Sequence, residues 1–167
     1  MVPPPPNSGE GTDEARDEDM SAIQGLERLL AVEEIITLQS RRVRAIDTQD
    51  WKLYKACHTA DFVSYTMNAP IKGIDRVVEG LSVHLEGVRT SHMVTSPEII
   101  FASAESASGT WVLHDRLWWE QDGSPHWCVG WGFYNDTYAK RDGHWLFTSR
   151  KIIRTRVETS PGARLTG

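Results

Sequence analysis

Two spacings of apolar residues divide the chain. Between Ser21 and Asp47, apolar residues recur every three or four positions, which predicts one long amphipathic helix or two helices joined near residues 31–33. Ser21 is the predicted N-cap, because its hydroxyl can accept a hydrogen bond from the first turn. The elements predicted next along the chain are a short helix at 51–57, a strand at 62–66, a turn at 67–70 and a third helix at 74–87.

Beyond Arg89 the sequence becomes typical of strands. Asp142 and Gly143 stand between two apolar segments, and an Asp-Gly pair in that setting predicts a tight hairpin. Long strands joined by short turns favour an antiparallel meander, so helices followed by a long sheet predict an α+β fold. The predicted strands are 90–103, 108–120, 126–140 and 144–157, with turns at 104–107, 121–125 and 141–143.

Charge separates a short N-terminal segment from the rest of the chain. Residues 1–20 contain four consecutive prolines, six acidic residues and one basic residue, and we expect them to be disordered because they cannot bury enough apolar surface. The other 147 residues carry 17 acidic and 17 basic residues, which argues against a basic, nucleic-acid-binding domain. We expect one folded domain over 21–159 and a loose C-terminal tail over 160–167.

Neither a membrane span nor a secretion signal is predicted. No window approaches 18 consecutive apolar residues, and the start of the chain lacks the basic and apolar regions of a signal peptide. Cys57 and Cys128 form no CxxC pattern, so we expect structural thiols and a cytoplasmic location. The six histidines lack zinc-ligand spacing, and Gly130 and Gly132 lie inside a strand, where glycine favours a bend or a close backbone approach.

Two aspartates fall on predicted apolar faces. Asp47 shares a helical stripe with Ile36 and stands at the C-terminal end of the helix, where a carboxylate opposes the helix dipole. It either turns to water there or is held for a chemical reason. Asp115 lies on the strand face of Trp111 and Trp119. It either pairs with an arginine across an oligomer interface or belongs to a site.

His92 and Arg154 are the other polar candidates. If the sheet curls around the end of the helix, His92 can meet Asp47, which would orient the imidazole as a general base. A lone histidine early in a strand is otherwise more often a core or edge residue. Arg154 shares a predicted strand face with Leu146 and Arg150. Several bases on a terminal strand favour a solvated edge over a binding site.

Four segments contain these candidates and carry a family resemblance: RAIDTQDW (44–51), TSHMVTSPEI (90–99), GTWVLHDRLWW (109–119) and GFYNDTYAKRDGHW (132–145). Together they resemble the SnoaL-like group of the nuclear-transport-factor-2-like superfamily. The resemblance extends over about residues 31–158. Within that group the Asp and His segments are most similar to the bile-acid dehydratases, with scytalone dehydratase and hexachlorocyclohexane dehydrochlorinase more distant.

The resemblance implies a cone, in which a strongly curved, mostly antiparallel sheet wraps on N-terminal helices around an internal pocket. It places the family's catalytic aspartate at Asp47, its catalytic histidine at His92, a second acid at Asp115 and an arginine at Arg154. The related dehydratases carry a tyrosine five residues before the aspartate. This chain has Arg42 there, which cannot donate a proton but can stabilise an oxyanion.

Two classes of function follow. As an enzyme, the chain would be a lyase or isomerase without a metal or organic cofactor, with a dehydratase favoured. His92, oriented by Asp47, would remove an activated C–H proton, and Asp115 would hold a substrate hydroxyl or return a proton. As a non-catalytic module, it would bind a ligand or resemble the structural β-subunit of ring-hydroxylating dioxygenases; a polyketide cyclase is a further alternative. The residues expected to bind a hydrophobic, polycyclic or aromatic substrate are Arg42, Tyr65, Trp111, Trp119, Trp131, Tyr134 and Arg154.

The tryptophans also predict self-association. Six of the seven lie between Trp111 and Trp145, more large apolar groups than one pocket holds, and Trp118 falls on the face opposite Asp115. We expect a homo-oligomer, with a trimer ahead of a dimer because of the family resemblance.

Overall fold

The structure of the chain, a computed structural model, describes residues 24–66 and 69–164. The predicted tail at 1–20, the predicted N-cap Ser21, part of the turn at 67–70 and the end of the C-terminal segment lie outside the described residues and stay predictions. Within the described residues, no helix combines the length and the apolar character that crossing a bilayer requires.

Three helices precede the long strands, as the apolar spacing predicts. Helix α1 (Leu26–Asp47) is continuous over 22 residues, so the break considered near 31–33 does not occur. Helix α2 (Trp51–Ala56) begins after Asp50, whose carboxylate accepts a backbone N–H of the first turn. Helix α3 (Ile74–His84) lies between the short strands and the long ones.

Six strands form one sheet in the order β2-β1-β6-β5-β4-β3. The four long strands pair with their sequence neighbours, which confirms the predicted antiparallel meander and the α+β class. Strand β1 joins β6 in parallel, so β6 lies inside the sheet and the solvated edge expected for it is wrong. The strands are β1 His58–Tyr65, β2 Ile71–Lys72, β3 Arg89–Ser103, β4 Ser106–Gln121, β5 Ser124–Arg141 and β6 His144–Thr159.

Tight turns and bulges shape this sheet. The hairpin between β5 and β6 turns on Asp142 and Gly143, with φ of 49° and 81°, and Asp122 and Gly123 do the same between β4 and β5, with φ of 54° and 73°. Positive φ at both central residues is the two-residue type I′ turn that an Asp-Gly pair predicts. A register shift in β3 near Ser96, where φ is 51°, marks a bulge, and bulges bend and twist a sheet.

Helix α1 packs against β3 and β6. Its inward side chains, such as Ile35, share a hydrophobic core with aromatic residues of α2, β1 and β6, among them Tyr54, Phe62 and Phe147. This packing holds the C-terminal end of α1 beside the beginning of β3, where the first of the candidate residues meet.

Candidate functional site

The end of α1 and the first residues of β3 bring Asp47 and His92 together. His92 Nδ1 lies 2.6 Å from Asp47 Oδ1, and the His92 backbone N–H donates to Oδ2 at 2.9 Å. The Thr90 hydroxyl donates to Oδ1 at 2.7 Å. These donors compensate the carboxylate for its unfavourable place at a helix C-terminus. The contact that the sequence led us to expect between the two residues is present.

Asp47 is held in its ionised form. Burial by itself raises the pKa of this carboxyl, but hydrogen bonds from the His92 side chain and backbone and from Thr90 outweigh it, so the pKa of Asp47 lies below its ordinary value. An ionised carboxylate only accepts hydrogen bonds, so Nδ1 of His92 carries the proton. In the neutral ring, Nε2 then presents a lone pair, as a general base requires.

Asp115 stands across the sheet from His92. The two residues are register partners in the β3–β4 pair, and His92 Nε2 lies 3.9 Å from Asp115 Oδ2. That distance is too long for a direct hydrogen bond. Arg154, on β6, binds Asp115 with two parallel hydrogen bonds, Nη1 to Oδ1 at 2.8 Å and Nη2 to Oδ2 at 2.6 Å. Nε2 of His92 and the Asp115 carboxylate are therefore not hydrogen-bonded to each other, and Asp115 is held by Arg154 instead.

Gly130 makes the contact between Asp115 and Arg154 possible. It lies on the intervening strand β5, directly opposite Asp115. A Cβ at this position would lie 2.3 Å from Arg154 Nη1 and 2.4 Å from Asp115 Oδ1, so any side chain there would displace the ion pair. The sequence expectation of a close approach at Gly130 is thus explained by side chains that cross over this glycine.

These four residues, Asp47, His92, Asp115 and Arg154, form what we call the dyad cluster. With a neutral imidazole its formal charge is −1, from two carboxylates and one guanidinium. The exposed fraction of the side chains is 23% for Asp47, 10% for His92, 3% for Asp115 and 34% for Arg154. The cluster is thus half-buried and remains reachable from solvent. Across residues 24–66 and 69–164, no group of His, Cys, Asp and Glu side chains is arranged to hold a metal ion.

Arg42 belongs to a different cluster, deeper in the core. Arg42 Nη2 donates to the Tyr54 hydroxyl at 3.2 Å, and its guanidinium lies 5.3 Å from the ring centroid of Tyr134. The guanidinium of Arg150 lies 3.8 Å from the same centroid, so both arginines pack on one aromatic ring. Arg150 also binds Asp136 through Nε at 2.7 Å and Nη2 at 2.6 Å, and Nη2 donates to Gln39 Oε1 at 2.8 Å. We call the set Gln39, Arg42, Asp136 and Arg150 the core arginine cluster.

Two of the three tryptophans predicted to line the pocket lie elsewhere. Trp111 is 2% exposed, and its indole N–H donates to the Tyr138 hydroxyl at 2.8 Å inside the core. Trp131 lies on the sheet face opposite to Asp115, stacked on a histidine of the neighbouring strand. The predicted aromatic pocket of Trp111, Trp119 and Trp131 is therefore wrong.

The remaining aromatic candidates occupy three different places. Trp119 lies on the same strand face as Asp115 and lines an open depression of about 690 Å³ beside Val83, at the end of α3. Tyr65 is 45% exposed and lies on the outer side of the sheet, so the structure does not bring it to the dyad cluster. Tyr134 is buried against the guanidinium groups of Arg42 and Arg150.

Sequence reasoning missed Gln39 and Asp136 and misjudged Arg150. Strand β6 carries a register shift, so Phe147 rather than Leu146 shares the inner face with Arg150. Arg150 is 1% exposed, not solvated. Strand alternation alone assigned Arg150 and Arg154 correctly to one face, but it did not indicate that this face turns inward. Gln39 lies on the buried side of α1, where a polar residue at helical spacing was an available clue.

An α+β cone with an Asp-His pair at the end of its first helix defines the class of protein. Residues 27–151 match the SnoaL-like domain, and the chain belongs to that family. Its fold is similar to that of a candidate scytalone dehydratase from Novosphingobium aromaticivorans, with 22% identity, a TM-score of 0.72, and 83% of this chain and 92% of that one covered.

Two further solved structures share the fold. A type 2 hexachlorocyclohexane dehydrochlorinase is 18% identical, with a TM-score of 0.73, and the match covers 85% of this chain and 97% of that one. A protein of unknown function from Mycobacterium tuberculosis, Rv3472, is 24% identical, with a TM-score of 0.67, over 78% of this chain and 75% of that one. At these identities the likeness shows the fold.

Proposed function

We propose that this chain is a lyase or isomerase in which His92 removes an activated C–H proton from a hydrophobic small molecule, with a dehydration favoured. The observation that carries the proposal is the 2.6 Å contact between His92 Nδ1 and the ionised Asp47, which leaves Nε2 as a base. The dehydratase and dehydrochlorinase activities named for two proteins of the same fold are eliminations, and they support this class of reaction.

The dyad cluster suits each part of an elimination. The C–H bond of the substrate breaks, its proton moves to His92 Nε2, and the electron pair is delocalised onto a neighbouring carbonyl. Asp115, held in place by two hydrogen bonds from Arg154, accepts a hydrogen bond from a substrate hydroxyl and orients it. When that hydroxyl leaves, the imidazolium of His92 returns its proton, and water is released. In an isomerase the same proton would return to another carbon.

The non-catalytic alternative also has an observation in its favour. The inner end of the cone is filled by side chains, with Trp111, Tyr134 and Arg150 each no more than 3% exposed. Such filling resembles a structural subunit more than an open ligand cavity. The dyad cluster lies outside that filled region and retains exposure, so we favour the enzyme over a structural subunit or a cyclase.

Deuterium incorporation tests the proposal across a range of candidate substrates. The protein is incubated in D₂O with a panel of polycyclic and aromatic hydroxyketones, and mass spectrometry detects exchange of the acidic C–H and loss of water. We expect activity in the wild type, and in His144→Ala, which removes an exposed histidine. His92→Ala should lack both exchange and elimination. Full activity of His92→Ala on a substrate of the wild type would contradict the proposal and favour the binding module.

We also propose that the chain forms a homo-oligomer, a trimer ahead of a dimer, through the outer face of the sheet. Large apolar side chains between 38 and 68% exposed concentrate on that face, which is typical of an interface. Light scattering that gives the monomer mass of 18.8 kDa would contradict this. The side chains are Met93, Ile100, Val112, Trp127, Phe133 and Ile153.

A further inference from the structure

An aromatic groove of about 370 Å³ lies on the outer face of the sheet, towards the β4–β5 hairpin. Three tryptophans line it, Trp118 on β4 and Trp127 and Trp131 on β5. Trp118 and Trp127 are register partners, and so are His114 and Trp131, whose rings stack with their centroids 5.2 Å apart. We call it the tryptophan groove. Its lining residues used below are Trp118, Trp127, Trp131, His114, Arg116 and Glu158.

The tryptophan groove has the properties of a surface that another segment covers. Trp127 is 38% exposed, although large aromatic side chains are usually buried in a core or an interface. In the same groove, His114 Nε2 is buried and has no hydrogen-bond partner among the described residues. Exposed aromatic surface and an unsatisfied polar atom in one place indicate a binding surface.

Basic residues outnumber acidic ones around the tryptophan groove. Arg116 lines it, and Arg89 is the register partner of Trp118 on β3. Neither arginine forms an ion pair with another described residue. Glu158, the one acidic side chain of the lining in the described part of the chain, is already paired with Arg156. The two guanidinium groups therefore favour a partner of negative charge.

The N-terminal segment of the chain, which lies outside the described residues, has the complementary chemistry. Pro3–Pro6 are four consecutive prolines, and residues 10–19 contain six acidic residues and one basic residue. Consecutive prolines favour the polyproline II helix, which aromatic grooves bind at a low cost in entropy. The segment thus combines a motif for the tryptophans with charge for the arginines.

The segment is also long enough to reach the groove. Arg28, in the first turn of α1, lies 5.2 Å from the ring centroid of Phe101, so α1 begins at the end of β3 that is far from Arg89. The strand from Arg89 to Phe101 is about 40 Å long at about 3.3 Å per residue. The 20 residues from Pro6 to Leu26 span about 60 Å when extended.

We propose that the tryptophan groove is the docking site of this chain's own N-terminal segment. Pro3–Pro6 pack on Trp118 and Trp127, and the acidic residues that follow pair with Arg116. Carbonyl oxygens of a polyproline II helix have no partner within it, so one of them accepts the Nε2–H of His114. Of the side chains assigned above to the oligomer interface, only Trp127 lines the groove, so most of that face stays free for a second copy. The docking is independent of the chemistry of the dyad cluster.

A spin label at Ser8→Cys in the full-length chain tests the docking, because Cys57 and Cys128 are buried and should not be labelled. NMR of the indole N–H signals then reports which tryptophans lie near the label. We expect broadening at the three tryptophans of the groove and none at Trp145, near the other end of the sheet. In a chain with Pro3–Pro6 replaced by serine, the selective broadening should be lost. Equal broadening of all tryptophans, or none at Trp127, would overturn the proposal.

A mixed sample separates docking within one protomer from docking on a neighbour. The spin-labelled chain carries no isotope, and a second, unlabelled chain carries ¹⁵N. We expect no broadening of the ¹⁵N indole signals, because the segment reaches the groove of its own protomer. Broadening in the mixed sample equal to that in the single chain would mean that the segment docks on a second copy, and would overturn the arrangement.

A synthetic peptide of residues 1–20 then locates the surface, with the chain whose Pro3–Pro6 are serine as the receptor. We expect saturable binding of the peptide, and a loss of affinity of about tenfold or more when Trp127→Ser is added to the receptor. Phe133→Ser is the matched control, because Phe133 is also 38% exposed on the outer face but does not line the groove. An absence of binding, or equal affinities in the two variants, would mean that a second copy or another ligand covers the groove, and would overturn the proposal.

Discussion

Helix α1 contributes to two polar clusters of opposite character. Asp47, at its end, belongs to the dyad cluster, whose formal charge is −1 and whose side chains retain exposure. Gln39 and Arg42 belong to the core arginine cluster, whose excess charge is +1 and which solvent barely reaches. In the dyad cluster each charged group has a partner, and the group left to accept a proton is the lone pair of His92 Nε2. In the core arginine cluster, as far as the structure describes the chain, the groups without a hydrogen-bond partner are N–H donors.

The two clusters suit different chemistry. A carboxylate that fixes the proton on Nδ1 leaves Nε2 of the imidazole able to accept a proton, whereas a guanidinium favours negatively charged groups. Placing both around a single helix keeps them apart along its axis, since Arg42 precedes Asp47 by five residues and each residue rises about 1.5 Å. Cluster-specific variants should therefore separate catalysis, stability and pH response.

The largest effect is expected from the dyad. His92→Ala removes the base and should lower turnover by about 100- to 10,000-fold. Asp47→Asn keeps the shape, but its amide can donate to Nδ1 and so favour the tautomer with a protonated Nε2, and a comparable loss is expected. The double variant should be no slower than the slower single variant, because the two residues act as a unit.

Rates from the deuterium-incorporation assay measure this cycle, with Asp122→Asn, an exposed aspartate, as the matched control. Additive losses in the double variant would mean that Asp47 and His92 act separately. In that case the hydrogen bond between Asp47 and His92, which distinguishes the dyad cluster from the core arginine cluster, would have no effect on the rate.

A second prediction tests whether Gly130 holds the dyad cluster together. Gly130→Ala should displace Arg154 and leave the buried Asp115 without its partner, at a cost of about 3 kcal/mol in the free energy of unfolding. Gly80→Ala is the control, because its Cβ would meet no atom within 4 Å and a helix favours alanine.

Urea unfolding measures both glycine variants. In an Arg154→Met background the cost of Gly130→Ala should shrink, since the ion pair is already gone. A Gly130→Ala variant as stable as Gly80→Ala would show that the strands can accommodate a side chain there, and that the close approach has no consequence for the site.

Local patterns predicted the elements and one contact of the site. The periodicity of α1, the Asp-Gly hairpins and the meander are all local, so apolar spacing and turn chemistry suffice for them. Asp47 was detectable as a carboxylate on an apolar stripe, and the resemblance supplied His92 as its partner. The carboxylate and the imidazole are 45 residues apart, a separation that periodicity alone does not bridge.

What could not be predicted depends on register and on long-range pairing. Strand alternation shows which residues of one strand share a face, but the register between strands decides which residues of two strands do. Gly130 and not Trp131 lies opposite Asp115, so Trp131 is on the other face of the sheet. The bond between Gln39 and Arg150 joins residues 111 positions apart, and no local pattern indicates it. Prediction therefore did better for the dyad cluster than for the core arginine cluster.

A third prediction concerns pH and the core arginine cluster. His58 packs between Tyr54 and Phe147, and its Nδ1–H donates to the Tyr54 carbonyl oxygen at 2.6 Å. Burial, and next the positive charges of Arg42 and Arg150, hold the pKa of His58 well below its ordinary value near 6.5. Below about pH 6.5 the unfolded chain binds a proton at this residue that the folded chain does not bind, so stability falls with falling pH.

The free energy of unfolding should decline by up to about 1.4 kcal/mol per pH unit from this one residue, beginning near pH 6.5. His58→Phe keeps a ring and cannot titrate, so the decline should be smaller in that variant between pH 6.5 and 5. His144→Asn, at an exposed position, should behave like the wild type. An unchanged pH profile in His58→Phe would mean that the core arginine cluster is less isolated from solvent than its burial implies.

The smallest effect is expected from the hydroxyl that supports Asp47. Thr90→Val removes the 2.7 Å hydrogen bond to Oδ1 but leaves both bonds from His92 in place. Since that hydroxyl helps to lower the pKa of Asp47, the variant should raise that pKa towards its ordinary value and cost about 1 kcal/mol in stability. Carbon-detected NMR titration of the Asp47 carboxyl measures the shift, with Thr95→Val, exposed on the same strand, as the control. Equal pKa values in the two variants would mean that the Thr90 hydroxyl does not affect the charge of Asp47. The two hydrogen bonds from His92 would then be the ones that keep this carboxylate ionised.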